Sequence, residues 1–389
     1  MTPFLTTAVV DLGAIRTNLR ALREVTNPEA RVMAVVKANA YGHGGIHVSK
    51  TALSSGADWL GVAHIEEGRR LRDAGISAPI LVFGYIPDQD LSDLIKYDLT
   101  ATAFSLPFAK SISEVACRSG KTIRVHAKVD TGMGRLGFLP DANRTQEDTG
   151  RRLEALNSDI LKISKLPGLD LEGIYTHFAN ADGKDPDRSS AQFVLFLDLL
   201  ERLDKSGLKI PIRHAANSGA TINMPETHLD MVRTGISIYG LYPSKETDRS
   251  RIALTPAMTL KTRVVHLKKV PAGYPVSYGS TYTTNGPTLI GTVPIGYADG
   301  YRRAFSNRGQ MLVQGRKAPV IGRVCMDFTL LDVGHIPEVS PGDEVVVIGK
   351  QGKSLISADD LADALDTINY EIVTSVSDRI PREYCRGQI

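Results

Sequence analysis

The sequence predicts an α/β protein: a (β/α)8 barrel followed by a second, mostly β-stranded domain. Three observations carry that expectation. Eight short apolar or mixed runs recur between Arg31 and Gly235, each separated from the next by a segment of helical period. The runs lack the clean alternation of a half-solvated sheet, as expected for parallel strands covered by helices on the outer face. Past Gly240 the helical period disappears, and short β-branched segments divided by Pro- and Gly-bearing turns replace it. A doubly wound sheet is the alternative for the first part, and eight strands favour the barrel.

Taken in order, residues 12–26 place Leu12, Ile15, Leu19 and Leu22 at helical spacing behind Asp11, an expected N-cap. RVMAVV is the first barrel strand, with a helix near 45–56. WLGVAH (59–64) precedes a helix at 65–74, PILVFG (79–84) one near 87–96, and LTATAF (99–104) one at 106–119. TIRVHAKVD (122–130) is followed by a polar helix near 147–164. LEGIYTHFA (171–179) precedes a helix at 188–206, IPIRHAANS (210–218) a short one near 219–224, and HLDMVRTG (228–235) ends the series. The domains are expected at 11–243 and 244–389, with the N-terminal residues 1–10 adding a strand to the second. That domain closes on a helix at 356–368, capped by Ser357 with Asp360 three residues on.

Composition excludes several function classes. The 46 Lys+Arg against 43 Asp+Glu give a formal net charge of +3, without a basic block, so no nucleic-acid footprint is present. No apolar stretch approaches the ~20 residues of a membrane span. MTPFLTTAVVDLGAI lacks the basic start and small-residue cleavage site of a secretory signal. Cys117, Cys325 and Cys385 are odd in number and far apart, which argues against a disulfide framework or structural zinc and for a cytoplasmic setting. Asn143-Arg-Thr is a glycosylation sequon by pattern only. Cys325 reads as a small buried hydrophobe, and His43 and His126 have no metal-ligand partner at useful spacing, so no metal site is assigned.

Chemistry in a barrel collects at the C-terminal strand ends. Those ends carry Lys37, Gly84, Lys128 with Asp130, His177, Asn217-Ser218, and Arg233 with Gly235. Lys37 has two readings: an amine snorkelling to solvent, or a desolvated nucleophile able to form an imine with a carbonyl. Ser218 opening a short helix, with the backbone of Gly235 and Ile236, has the composition of a phosphate cradle. Gly-Met-Gly-Arg-Leu-Gly at 132–137 mimics a dinucleotide fingerprint, but Pro140 follows where a helix must open, so it reads as a loop bringing Arg135 to the rim.

AVVKANAYGHG, KVDTGMGRLGF, THFANAD, HAANSGA, DMVRTGISIYG, VSYGSTY, PIGYADGYRR and GRVCMDFTLLDV together resemble the bacterial alanine racemases, pyridoxal-phosphate (PLP) enzymes of the fold-type III barrel. The likeness runs through nearly the whole chain. It implies interconversion of L- and D-alanine, supplying D-alanine for peptidoglycan, by a homodimer. It further implies that Lys37 holds PLP covalently and that Tyr41, Ser218, Gly235, Ile236 and Tyr370 grip the phosphate, with Asn217 beside them. Arg233 faces the ring nitrogen. A guanidinium only donates, so that nitrogen stays unprotonated and draws electrons more weakly.

Racemisation requires bases on both faces of Cα. The resemblance assigns Lys37 to the D-alanine face and Tyr278, lent by the partner subunit, to the L-alanine face. It sets His177 against that tyrosine with Arg135 nearby. Met326 and Asp327 of the second domain also reach the partner's barrel, Met326 binding the substrate carboxylate, and Tyr297 with Tyr370 narrows the entry. Lys128 matches a lysine often found as a carbamate. Phe83 stands where relatives commonly carry leucine, a change in packing alone. The rival expectations are a PLP-barrel decarboxylase, a non-catalytic PLP-binding barrel protein, and a secreted broad-specificity racemase.

Overall fold

A computed structural model of the chain describes residues 5–139, 149–185 and 187–387. Pro140 and the Asn143 sequon lie outside these residues. The structure divides into two compact units. One comprises Ile15–Ala40 and Gly45–Thr255; the other comprises Met1–Ala14, Tyr41–Gly44 and Pro256–Ile389.

In the second unit, β1 (Thr7–Asp11) is an interior strand. The barrel strands of the first unit are β2 (Arg31–Val35), β3 (Trp59–Val62), β4 (Ile80–Val82), β5 (Thr100–Ala103), β6 (Ile123–Lys128), β7 (Leu169–Tyr175), β8 (Ile212–His214) and β9 (Met231–Thr234). All seven ladders are parallel, in the order β8-β7-β6-β5-β4-β3-β2-β9. The two ends of that order meet through Asp230 N–H to Arg213 O (3.0 Å) and Arg233 N–H to Ala216 O (3.0 Å), which closes the barrel.

Each strand coincides with one of the eight runs of the sequence, and helices such as Leu106–Ser119 and Asp187–Lys205 lie between them. Ser105 caps the first of these through its side chain, and Gly120 ends it at φ 60°, where a residue with a Cβ is strained. The expected helix near 87–96 is instead a short turn, Asp88–Asp90, followed by Ser92–Lys96. Met33, Trp59, Leu81, Tyr175, Ile212 and Met231 form an apolar core of the barrel, with Phe83 packed on it. Gly61 leaves room for that phenylalanine: a Cβ there would lie 2.6 Å from the Phe83 ring.

The second unit is built on β10 (Met258–Arg263), β11 (His266–Val270), β12 (Pro275–Val276), β13 (Tyr282–Thr283), β14 (Thr288–Val293), β15 (Gln310–Val313), β16 (Arg316–Pro319), β17 (Thr329–Asp332), β18 (Glu344–Gln351), β19 (Ser354–Ile356) and β20 (Arg382–Cys385). Its largest sheet runs β16-β15-β18-β10-β1-β20, with β19 on β18. β1 pairs antiparallel with β10 and parallel with β20. The β-branched segment TLKTRVVHLKKV (259–270) forms two strands. It breaks after Arg263, and its halves join different sheets. The expected helix at 356–368 ends at Ala364, and a further helix, Asn369–Thr374, follows.

Candidate active site

Lys37 stands two residues past β2. The register pairs Met33 with Arg233 and Ala34 with Thr234, so Gly235 and Ile236 leave the sheet beside it on β9. Burial is the largest cause lowering its amine pKa; the Arg135 guanidinium adds to the effect and Glu67 opposes it. The next turn is left-handed, with φ of 52°, 53°, 54° and 51° from Ala38 to Tyr41. Such backbone costs L-residues of order 1–3 kcal/mol each and persists only where it is tied down. The Glu67 carboxylate supplies one tie, accepting from Ala38 N–H (2.6 Å), Ala63 N–H (2.7 Å) and His64 N–H (3.1 Å).

Ser218 follows Asn217, whose side-chain oxygen accepts from Ala220 N–H at 3.0 Å and caps the short helix Ser218–Asn223. Gly235 N–H donates to Ser218 Oγ at 2.8 Å, which joins the ends of β8 and β9 in one cluster of donors. Ile236 opens the turn Ile236–Tyr239.

Arg233 is buried and fully braced on one side. Its Nη2 donates to Thr176 O (2.8 Å) and Ala215 O (2.9 Å) and lies 3.3 Å from His177 Nδ1; its Nη1 lies 3.0 Å from His214 Nδ1. The guanidinium rests 5.2 Å over the Tyr175 ring. Burial lowers its pKa to about 10, still a cation at neutral pH. The same burial, reinforced by Arg233, holds His177 well below the ordinary histidine value and therefore neutral.

Lys128 projects from β6 into the interior, its Nζ donating to Val129 O at 2.9 Å and lying 5.2 Å over the Tyr175 ring. Burial, then Arg233, lowers its pKa to about 7. Asp130 organises the loop that follows. Its carboxylate accepts from the N–H groups of Gly132 (2.9 Å), Met133 (2.8 Å), Gly134 (3.0 Å) and Arg135 (3.1 Å). Burial raises its pKa, but those donors outweigh it and the net shift is downward. No helix opens at Gly137. Phe138 returns to the sheet edge, with its N–H on Lys128 O at 2.8 Å, so the glycine pattern is a loop holding Arg135 at the surface.

The second unit holds the remaining candidates. Tyr41 and Tyr370 are ring neighbours there, 6.1 Å between centroids. Tyr278 sits on a turn with Ser277 at φ 63° and Gly279 at φ 70°, and is 70% exposed. Tyr297 and Met326 lie on facing loops joined by Tyr297 N–H to Cys325 O and Ala298 N–H to Met326 O, both 3.1 Å. Gly296 permits that approach, because a Cβ would lie 2.3 Å from both carbonyls. Asp327 pairs with Arg379 at 2.8 Å. Cys325 is half-buried, with Sγ 3.6 Å from Ser277 Oγ, and is less enclosed than its sequence context suggests.

Known proteins decide what these donors and amines belong to. The model of the alanine racemase N-terminal domain matches residues 10–243, and that of the C-terminal domain matches residues 257–384. The chain belongs to the alanine racemase family. It is 51% identical to an alanine racemase of Desulfosudis oleivorans over 100% of this chain and 98% of that one, and 48% identical to one of Methanococcus maripaludis over 97% and 98%. Among solved structures, the alanine racemase of Clostridium difficile superposes with a TM-score of 0.91 at 37% identity, covering 99% of this chain and 97% of that one. The Bacillus anthracis racemase with bound L-Ala-P gives 0.90 at 39% identity, covering 99% and 96%.

This racemase therefore interconverts the enantiomers of alanine with PLP as cofactor. Its barrel rim fits that group: a depressed amine for the aldehyde, hydroxyl and amide donors for a phosphate, and a braced guanidinium that can only donate. Several residues of this neighbourhood escape sequence reasoning, namely Glu67, Tyr175, His214 and Glu172. They lie on three elements, Glu172 and Tyr175 sharing β7, and no sequence motif links them to Lys37 or Arg233.

Proposed function

We propose that Lys37 and Tyr278 are the two opposed bases of the racemisation, working across a homodimer that supplies D-alanine for peptidoglycan in the cytoplasm. The observation that carries this reading is the Lys37 amine, whose pKa burial lowers at the end of β2, beside the Ser218–Gly235 donor cluster. A lowered pKa raises the fraction of free amine able to take a proton.

PLP, when bound, supplies an aldehyde for the lysine and an electron-withdrawing ring that acidifies the substrate Cα–H. Ser218, the N–H groups of Gly235 and Ile236, and Tyr41 with Tyr370 would hold its phosphate, with Asn217 keeping the Ser218 helix in place. Arg233 would meet the ring nitrogen with a donor; Thr176 and Ala215 use both Nη2 hydrogens and His214 one on Nη1, and of the two that remain, one Nη1–H and the Nε–H, the Nε–H is assigned to that contact.

Lys37 Nζ takes the Cα proton of D-alanine on one face. The Tyr278 hydroxyl delivers a proton on the other, and the roles reverse for L-alanine. Neutral His177 accepts at one ring nitrogen and donates at the other, which suits a tyrosine that must exchange a proton. Arg135 and the Met326 backbone N–H would receive the substrate carboxylate, with Asp327 held by Arg379 beside them and Tyr297 narrowing the entry.

Exposure supports the shared site. Tyr278, Met326, Phe328 and Tyr297 are 70%, 53%, 46% and 41% exposed, an uncommon gathering of large apolar side chains on one unit. A Lys128 amine with a pKa near 7 is about half uncharged at neutral pH, and the neutral form can add carbon dioxide and release a proton to solvent, giving a carbamate anion near Arg135.

Lys37→Ala tests the assignment. The variant is expected to lose both the visible absorbance of lysine-bound PLP and all alanine racemisation, while far-ultraviolet circular dichroism stays unchanged. Retention of either signal would overturn it.

A further inference from the structure

Behind Arg233, away from the Nε–H proposed for the cofactor, a line of buried side chains crosses the barrel. Arg233 Nη1 lies 3.0 Å from His214 Nδ1, and His214 Nε2 lies 2.8 Å from His126 Nδ1. His126 Nε2 stands 3.5 Å from Glu172 Oε1, and this buried nitrogen has no nearer partner among the described residues. Glu172 also accepts from Thr100 Oγ1 at 2.9 Å. Both imidazoles are fully buried.

The chemistry of the two ends dictates the direction of the line. A guanidinium carries donors only, so His214 Nδ1 must accept and its proton sits on Nε2. That N–H then requires a bare Nδ1 on His126, whose proton is in turn on Nε2 and points at an ionised carboxylate. Four groups on four strands thus form one donor-to-acceptor sequence, from Arg233 to Glu172. Burial keeps both rings from taking a second proton: His214 lies well below the ordinary histidine value and His126 also lies below it.

The surrounding backbone is shaped for this arrangement. The β6–β7 ladder pairs Val125 with Leu171 and His126 with Gly173, so Glu172 is the extra residue of a bulge. A Cβ on Gly173 would lie 2.5 Å from the His126 ring, so glycine opens the space the imidazole fills. Tyr175 stacks on His214 (4.7 Å, 11° between planes), and Trp59 packs at 5.3 Å on His126.

We propose that Glu172 is a positioning residue for Arg233, acting through His126 and His214 by fixing each imidazole as its Nε2–H tautomer. The inference rests on Arg233 facing the cofactor ring, as proposed above. With the carboxylate in place, Nη1 is held by an acceptor and the guanidinium presents Nε–H at a fixed angle. Without it, the His126 proton gains nothing by staying on Nε2. Moved to Nδ1, it forces His214 to the Nδ1–H form, and two donors then face one another at Arg233.

Nitrogen-15 spectra of imidazole-labelled holoenzyme separate protonated from bare ring nitrogens. The wild type is expected to show Nε2–H and bare Nδ1 for both His126 and His214. Glu172→Ala is expected to invert both rings and to lower kcat ~10-fold, the scale of one displaced charge-assisted hydrogen bond, with KM for alanine little changed. Glu172→Gln, whose amide carbonyl still accepts, should restore the wild-type tautomers and most of kcat.

Protonated Nδ1 on either ring of the wild type would overturn the proposal. So would wild-type tautomers and kcat in Glu172→Ala. If Glu172→Ala does not fold, the wild-type and Glu172→Gln spectra decide alone. The tautomers are read independently of the Lys37 absorbance, so the relay and the Lys37 assignment fail separately.

Discussion

Replacing Lys128 by methionine removes a buried amine at nearly constant volume, and the structure sets the size and sign of the effect. The amine titrates at about 7 in the fold against 10.5 when free. At ~1.4 kcal/mol per unit, the cost of keeping it charged inside the barrel is of order 5 kcal/mol, less about 1 kcal/mol for its hydrogen bond to Val129 O. Between those two values the folded chain binds fewer protons than the unfolded one, so wild-type stability climbs as pH rises, and below about 7 the full cost is present. Lys128→Met lacks this contribution. Urea unfolding in carbon-dioxide-free buffer should therefore find the variant more stable by several kcal/mol near pH 7, with the difference shrinking by about 1.4 kcal/mol per pH unit above it. Parallel stability curves for the two proteins would refute the reasoning. Under 13C-bicarbonate the wild type should acquire a carbamate resonance that the variant lacks.

Tyr278→Phe should slow solvent-deuterium exchange at Cα of L-alanine by at least ~100-fold, the scale of a lost general base, and that of D-alanine far less; equal loss in the two directions would count against opposed bases. Gly42→Ala should lower Tm measurably, since φ is +82° and the new Cβ would lie 2.2 Å from Val373 O, with a backbone cost of about 1–3 kcal/mol; an unchanged Tm would show that the turn can relax.

The barrel strands were legible because each is a short apolar run whose neighbours in sequence are also its neighbours in the sheet. The β-rich unit was less so. β1 pairs with β10 and β20, both far along the chain, and nothing local in TTAVVDL names those partners. The strand Arg382–Cys385 carries two charges in four residues and has no apolar alternation to reveal it. Within the site, Lys37 was conspicuous because a charged residue ends an apolar strand. His126 and His214 were not: they lie on β6 and β8, far apart in the chain, and only closure of the barrel brings them within 2.8 Å. The left-handed turn after Lys37 was also invisible, because alanine on both sides of Asn39 disfavours it; the Glu67 carboxylate, from another element, helps to hold it.

The position of β1 has a consequence for how the chain is made. It is synthesised before the barrel, yet in its sheet it lies between β10 and β20, both of which follow the barrel in the chain. At ~5–20 residues per second, β1 waits for tens of seconds with both edges unpaired. The barrel's strands, each adjacent to its predecessor, can close during that interval. The β1 sheet cannot assemble until the chain past the barrel has been made, so a chain that stalls within the barrel leaves an apolar strand unpaired, open to chaperones or to aggregation.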